Sequence, residues 1–374
     1  MKLLKILMLS SIFILSGCNP TEKIENTNED QKYSIVTSSF YEYDIVREIV
    51  GDSNDNIKVS LLTDTGVDLH SYVPSSKDIV FINQSDLFIY NGGHSHYWVK
   101  DAIVEPVNPN FQSINIIESL GDSVKQEQNV EGMQEHNHHE CNHEDHDHKD
   151  HDHEEHEHDH EEHDHEEHVH EDHEEHDHDH ENCDHESHDH EKHDHVHEDE
   201  HVWLSIDNAI FITETIAEKI KTIDKENAKL YEENAKQFVK ELDKLDAEYE
   251  DVVNNSNKDT LIFTDRFPFL YLMDEYDIKY YAAFQGCSSE TEATFETISF
   301  LAKKVDELGT SSLIVLEKGL VDLATTVNDS TKEKNSKILS LNSMQAVSQD
   351  DIDNGASYLD YMRENLKVIE QALK

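Results

Sequence analysis

A stretch rich in histidine and acidic residues divides the chain into two parts that must fold around it. Between Glu135 and His201 the sequence holds 26 of its 29 histidines, 31 aspartates and glutamates, and two lysines. Residues 126–200 contain almost no apolar side chains, so they cannot bury enough surface to offset the entropy of ordering a chain. We therefore expect a disordered insertion over 126–200, placed within a globular protein.

The charge of the chain limits the partners it can have. Its 374 residues carry a formal net charge of -53 at pH 7. Nucleic-acid binding needs lysine and arginine clustered against phosphates, so this class of function is excluded. A surface this acidic attracts cations instead. The length is sufficient for two ordinary domains with cores of their own.

The first residues have the pattern of an export signal. A short basic segment precedes the mainly apolar residues 6–15, which are too few to span a bilayer. The string Leu-Ser-Gly-Cys that follows ends at Cys18 and resembles a bacterial lipobox, whose cysteine becomes lipid-modified and forms the new N-terminus. We predict a signal peptide over 1–18, a flexible tether over 19–31, and a lipid anchor that holds the protein on the outer face of the cell membrane.

Strands alternate with helices on both sides of the insertion. Before it, hydrophobic patterning predicts strands over 33–38, 57–62 and 87–90 and helices over 41–50 and 77–84. After it, a helical pattern begins at about residue 207, and a long helix covers about 225–252, roughly 40 Å. A second series follows, with strands over 260–264, 278–283, 311–316 and 338–341 and helices over 269–276, 294–308, 321–328 and 357–373.

This order predicts an α/β fold with two lobes and mostly parallel sheets, joined by a long rigid helix. We place the N-terminal lobe at 32–205, the helical segment at 206–255 and the C-terminal lobe at 256–374. Ligands of such sheets bind at the loops that follow the strands.

Two histidines lie in such loops. His70 follows the second predicted strand, and His201 stands just before a helix. Neutral imidazole is a good zinc ligand, and open metal sites combine it with carboxylates. Either histidine taken alone is more often a surface or hydrogen-bonded residue than a metal ligand.

Three strings together resemble a known family. They are GVDLHSYVPSSKDI at 66–79, HVWLS at 201–205 and YLDYMRENL at 358–366, and they look like the metal-specific substrate-binding proteins of bacterial ABC importers for zinc and manganese. The resemblance implies that the metal lies in a cleft between the lobes and that His70 and His201 are ligands. It implies that the protein, acting as a monomer, delivers Zn²⁺ to a membrane permease and its ATPase. The histidine-rich insertion is typical of the zinc branch; a manganese receptor is the alternative.

The resemblance does not carry over cleanly to the other ligands. Arg266 falls where the family has its third ligand, and a guanidinium cannot bind a cation. Asp265, one residue away, is the natural substitute. The family's late aspartate aligns with Asn342, whose amide oxygen is a weaker ligand than a carboxylate. Glu317, which follows a predicted strand, is the other carboxylate we place near the cleft, although a solvated charge at a strand end explains it equally well.

Other metal-binding residue types leave their roles open. His94 and His96 follow a glycine pair and form either a secondary metal site or, as we favour, a polar loop. Cys141 and Cys183 lie within the insertion and could form a disulfide or supply thiolates. For Cys287 we favour a small buried residue over a ligand. The insertion itself offers many overlapping, weak His–carboxylate sites, which predicts metal collection by multivalency.

Two other classes of function were weighed against transport. A zinc hydrolase lacks support, since the chain has neither a His-Glu-x-x-His motif nor a nucleophile-elbow serine. A surface adhesin or metal buffer without a transporter remains compatible with the sequence.

Overall fold

The computed structural model describes residues 32–51, 55–63, 66–134, 197–288 and 292–374. The predicted signal peptide, Cys18, the tether, Cys141, Cys183 and most of the insertion lie outside the described residues. Within the described ranges, no helix is both long and apolar enough to cross a membrane.

The first lobe is a four-stranded parallel sheet in the order β2-β1-β3-β4, with helices against it. Its strands are β1 (Tyr33–Thr37), β2 (Ile57–Leu61), β3 (Leu87–Tyr90) and β4 (Gln112–Asn115), and its helices are α1 (Phe40–Val50), α2 (Ser76–Gln84), α3 (Val99–Ala102) and α4 (Ile116–Leu120). The first three strands confirm the sequence prediction. The edge strand β4 was not predicted.

The second lobe repeats this arrangement, in the order β6-β5-β7-β8 and again parallel throughout. Its strands are β5 (Thr260–Phe267), β6 (Lys279–Gln285), β7 (Ser312–Leu316) and β8 (Lys337–Leu341), and its helices are α7 (Leu270–Glu275), α8 (Phe295–Leu308), α9 (Val321–Ser330), α10 (Gln349–Asp353) and α11 (Tyr358–Ala372). Two α/β lobes with parallel sheets are therefore confirmed.

Two consecutive helices, α5 (Ile206–Ile223) and α6 (Ala228–Asn254), connect the lobes. The buried side chains of α6 recur at alternating intervals of four and three residues, which places them on one face. They are Tyr231, Ala235, Phe238, Leu242, Leu245 and Tyr249. This face packs on α1 and α5 and, at its far end, on α11. The 27 residues of α6 are thus fixed to both lobes.

The segment after His201 is held by both lobes. The buried Trp203 ring stacks on Tyr41 with ring centroids 4.9 Å apart, and its indole N–H donates to Ser343 O at 2.9 Å. Tyr358 OH donates to Trp203 O at 2.7 Å, while Tyr358 N donates to Asp44 Oδ2 at 2.8 Å. These bonds fix His201 at the junction of the lobes.

Both ends of the predicted insertion are among the described residues. Gln126 and Glu198 form an isolated antiparallel bridge. Glu127 N donates to His197 O, and Asp199 N donates to Lys125 O, each at 2.9 Å. Gln134 N donates to Ala283 O at 2.9 Å. Residues 126–134 and 197–200, which we placed inside the insertion, are therefore hydrogen-bonded to each other and to the second lobe.

Candidate metal centre

His70 lies in a single 3-10 turn, Leu69–Ser71, that follows β2. Asp68 begins this turn, and its side chain accepts a hydrogen bond from His70 N at 3.0 Å. The imidazole Nδ1 lies 2.8 Å from Ser95 Oγ, and that hydroxyl donates to Glu200 Oε2 at 2.5 Å. Because the Ser95 hydroxyl donates its proton to Glu200, Ser95 Oγ accepts a hydrogen bond from His70 Nδ1–H.

A close approach of the backbone makes this contact possible. Glu200 also accepts from Ser95 N at 3.0 Å, and a Cβ at Gly93 would lie only 2.5 Å from Glu200 Oε1. Gly93 has φ +71, a conformation that side chains with a Cβ adopt rarely. The glycine therefore lets the carboxylate reach Ser95 and, through it, His70.

His201 is fully buried directly before the 3-10 turn Val202–Leu204. Its Nδ1 lies 2.9 Å from Asp199 Oδ1, which also accepts from His201 N at 2.9 Å. A carboxylate only accepts, so Nδ1 carries the proton and the lone pair of the neutral ring is on Nε2. Both histidines are thus oriented by carboxylates at the C-terminal base of the insertion.

The two imidazole nitrogens without a proton lie close together at the junction of the lobes. His70 Nε2 and His201 Nε2 are 3.1 Å apart. Two nitrogens bound to one tetrahedral zinc, each at about 2.0–2.1 Å, are separated by about 3.3 Å. The spacing and the inferred tautomers fit a shared metal ion.

Two more side chains adjoin this pair. Cys287, in the loop after β6, has its Sγ 3.7 Å from His70 Nε2, and the ligand atoms of His70, His201 and Cys287 all lie within 4.8 Å of one another. In the part of the chain that the structure describes, this is the one such group of three. Gln345 Nε2 lies 2.9 Å from His201 Nε2, so metal binding there must displace the amide.

The environment favours a neutral His70. Burial and the neighbouring His201 lower the pKa of His70 to about 4. For His201, burial lowers the pKa, but the charge and hydrogen bond of Asp199 outweigh it and the net pKa is raised. A proton therefore competes with a metal at His201 more than at His70.

In the structure, the carboxylates of Asp265 and Glu317 accept hydrogen bonds from the backbone. Asp265 is buried in β5; its Oδ2 accepts from Leu316 N at 3.2 Å and Leu320 N at 2.7 Å. Glu317 accepts from Ser343 N at 3.0 Å and Ser343 Oγ at 2.8 Å. Neither belongs to the group of three. Their role as ligands stays a prediction.

Arg266 and Asn342 also have structural partners. Arg266 forms an ion pair with Asp68 at 3.2 Å, so its charge is offset beside the turn that carries His70. Asn342 N and O both bond the side chain of Asn365, at 2.8 Å each.

The other histidine pair does not converge on one point. His96 is buried and its Nδ1 lies 3.1 Å from Gly92 O, while burial lowers its pKa to about 4. His94 is exposed, with its ring centroid 6.2 Å from that of His197. A polar loop, with His96 as a structural residue, accounts for these contacts.

The expectation that Cys287 is a small buried residue is wrong, because this residue is exposed. It is the candidate ligand that sequence reasoning missed. It had one signal, a Gly-Cys pair directly after a predicted strand, which is where ligand-binding loops of parallel sheets lie. A single cysteine gives no spacing from which a site can be inferred.

Two α/β lobes with paired histidines at their junction define the class of metal-binding solute receptors. The chain belongs to the family described as zinc-uptake complex component A, periplasmic (ZnuA), whose model matches residues 35–372. This is a family of solute-binding proteins and not of enzymes.

Relatives of known name cover nearly the whole chain. It is 26% identical over 372 residues to the high-affinity zinc uptake system protein ZnuA of Bacillus subtilis (strain 168), covering 97% of each. It is 24% identical over 343 residues to the zinc-binding lipoprotein AdcA of Streptococcus pneumoniae (strain ATCC BAA-255 / R6), covering 91% of this chain and 56% of AdcA. The chain thus spans little more than half of AdcA.

Solved structures share the fold. The metal-dependent lipoprotein YcdH from Bacillus subtilis superposes with a TM-score of 0.64 at 22% identity, covering 92% of this chain and 100% of YcdH. The Zn(II)-bound ZnuA-like domain of Streptococcus pneumoniae AdcA gives a TM-score of 0.61 at 20% identity, covering 91% and 99%. At these identities the likeness establishes the two-lobed architecture.

Proposed function

We propose that this protein is the extracytoplasmic receptor of a zinc ABC importer and that it acts as a monomer. The receptor captures Zn²⁺ between its lobes and delivers the ion to a permease driven by an ATPase. The observation that carries the proposal is the pair of imidazole Nε2 atoms, which lie 3.1 Å apart at the junction of the lobes. Membership of the zinc-uptake family and the zinc-binding names of its relatives support zinc as the cargo.

The two histidines are prepared for capture before the metal arrives. Hydrogen bonds to Asp199 and Ser95 fix their Nδ1 atoms, so little rotamer freedom is lost on binding. Asp199 and Glu200, both 2% exposed, add negative charge behind the rings and attract a divalent cation.

The test of the capture site is the affinity of the full chain for its most tightly bound zinc ion. A high-affinity chelator outcompetes the weak sites of the insertion, so the competition assay measures the tight site alone. His70→Ala or His201→Ala should weaken zinc binding at this site by at least about 100-fold, because losing a residue that only orients a metal ligand already costs about 10–100-fold. His94→Ala, an exposed histidine of the same lobe, is the matched control and should leave this affinity unchanged. Equal affinity in all four proteins would remove the proposed site.

The relatives named as lipoproteins support an extracytoplasmic, membrane-associated location. We place the anchor on Cys18, because the lipobox precedes a polar segment that can serve as a tether. Cys18→Ala should move the protein from the membrane fraction to the soluble fraction after a salt wash. Continued sedimentation of that variant with membranes contradicts the anchor.

A further inference from the structure

We propose that Cys287 is the third zinc ligand of this chain, as a thiolate, and that it sets the preference for zinc over manganese, with Glu127 as the carboxylate that completes the site. The inference rests on the proposed function, because it concerns the same metal.

The position of the sulfur fits a tetrahedral ion. Nitrogen at about 2.0–2.1 Å and thiolate sulfur at about 2.3 Å from one zinc are about 3.6 Å apart. The distance from Cys287 Sγ to His70 Nε2 is 3.7 Å. Together with the nitrogen pair at 3.1 Å, both measured edges of the donor triangle are within about 0.2 Å of the separations expected around one zinc ion.

The loop that carries Cys287 is built to lie against His201. A Cβ at Gly286 would be 2.9 Å from His201 Cε1 and 2.8 Å from Phe267 O. Such contacts essentially never occur, so only glycine lets this backbone approach the ring so closely. The approach brings the next residue, Cys287, to the histidine pair.

Two charged side chains near the end of β5 have other partners. Arg266, near the end of β5, has a guanidinium that cannot bind a cation and is paired with Asp68. The oxygens of Asp265 accept backbone hydrogen bonds. Cys287 therefore supplies from the end of β6 what the end of β5 does not.

Glu127 provides the remaining donor from the N-terminal base of the insertion. Its Oε1 is buried and has no hydrogen-bond partner among the described residues. Burial of the sulfur raises the pKa of the Cys287 thiol, and among the neighbouring carboxylates the charge of Glu127 raises it further, ahead of Glu200 and Asp199. A thiolate and a carboxylate together balance the two positive charges of zinc, which offsets the cost of burying the ion.

The donor set predicts metal choice. Two imidazoles and a thiolate form a soft to borderline set that suits Zn²⁺, whereas Mn²⁺ prefers carboxylate, carbonyl and water oxygens. Replacing the sulfur by a hydroxyl should therefore affect zinc more than manganese.

Cobalt(II) reports the bond directly, because a cobalt–thiolate bond gives a charge-transfer band in the near ultraviolet. The test uses the full chain with Cys18→Ser, Cys141→Ser and Cys183→Ser, so that Cys287 is the only thiol. Titration with Co²⁺ should produce the band with one equivalent, and one equivalent of Zn²⁺ should abolish it. Adding Cys287→Ser should remove the band, weaken zinc by roughly tenfold or more, and narrow the zinc-to-manganese affinity ratio.

The outcomes separate the two proposals. If the chain with Cys287 intact binds cobalt tightly without the band, Cys287 is not a ligand, while loss of tight binding in His70→Ala still supports the receptor function. If His70→Ala and His201→Ala keep the tight site, the receptor site fails whatever the band shows. Glu127→Gln should keep the band and weaken zinc; unchanged affinity removes Glu127 from the site. Thermal unfolding of chelator-treated variants checks that each is folded.

Discussion

Glu42, in the first turn of α1, carries its carboxyl group in the interior of the first lobe. It is 0% exposed and accepts hydrogen bonds from Ser38 N at 2.8 Å and Ser39 N at 3.1 Å. Burial raises its pKa to about 8, against the opposing effect of these bonds. The folded protein therefore holds this proton more tightly than the unfolded chain does. The resulting stability is fully present below the unfolded pKa of 4.5 and is lost as the pH rises through about 8.

Substitution by glutamine isolates this contribution. Glu42→Gln keeps an oxygen acceptor for the backbone N–H groups and removes the titration. The difference in unfolding free energy between variant and parent should change between about pH 5 and 8 with a slope of at most about 1.4 kcal/mol per pH unit, in favour of the variant at higher pH. Urea unfolding in the presence of chelator measures it. The exposed Glu105→Gln should follow the parent at every pH; parallel curves for Glu42→Gln would contradict the prediction.

At the metal centre, single residues show where local sequence is informative. His70 and His201 stand in strings long enough to be recognised, and both reach the junction of the lobes. Arg266 carries a guanidinium that cannot bind a cation, and its ion pair with Asp68 explains how a positive charge is tolerated there. Cys287 has no such string around it, and only its neighbours reveal its role.

At the scale of elements, some strands are easier to predict from the sequence than others. Strands β1, β3, β5 and β7 are buried runs of apolar residues and were predicted. The edge strand β4 has the sequence QSIN, with one buried side chain, and among the described strands it pairs with β3 alone. A strand this short and polar has no periodicity to detect, so its existence depends on the partner.

The carboxylates after the strands have element-scale roles. Asp265 joins β5 to the backbone after β7, where a Cβ at Gly319 would lie 1.9 Å from Asp265 Oδ2. Glu317 joins the end of β7 to Ser343 after β8. A carboxylate at a strand end is thus compatible with a ligand or with a brace, and sequence does not separate the two.

At the scale of the whole molecule, the described ends of the predicted insertion lie beside the candidate metal centre. The paired segments at its base carry Glu127, Asp199 and Glu200, all of which act on the proposed ligands. The histidine-rich part, residues 136–196, lies outside the described residues and holds 24 of the 29 histidines. Collection and tight capture should therefore be separable by deletion.

Replacing residues 136–196 by a short Gly/Ser linker should remove most of the zinc equivalents per chain and leave the tightest site unchanged. Metal analysis after dialysis gives the stoichiometry, and chelator competition gives the affinity. Replacing 126–200 by the same linker is the control: it also removes Asp199 and Glu200 and should weaken the tight site. If the shorter replacement alone abolishes tight binding, the insertion supplies a ligand.

The sequence by itself determined the two-lobed α/β fold, the long helix, the insertion and the histidine pair, because each is encoded in a local pattern of hydrophobicity, charge or motif. The tertiary structure decided the rest of the metal centre. Cys287 is 217 residues from His70 in the sequence. Glu127 lies at the N-terminal base of the insertion, whereas Asp199 lies at its C-terminal base. Which loops converge depends on strand order and lobe packing, and these follow from burial of one core shared by both lobes, which no single segment encodes.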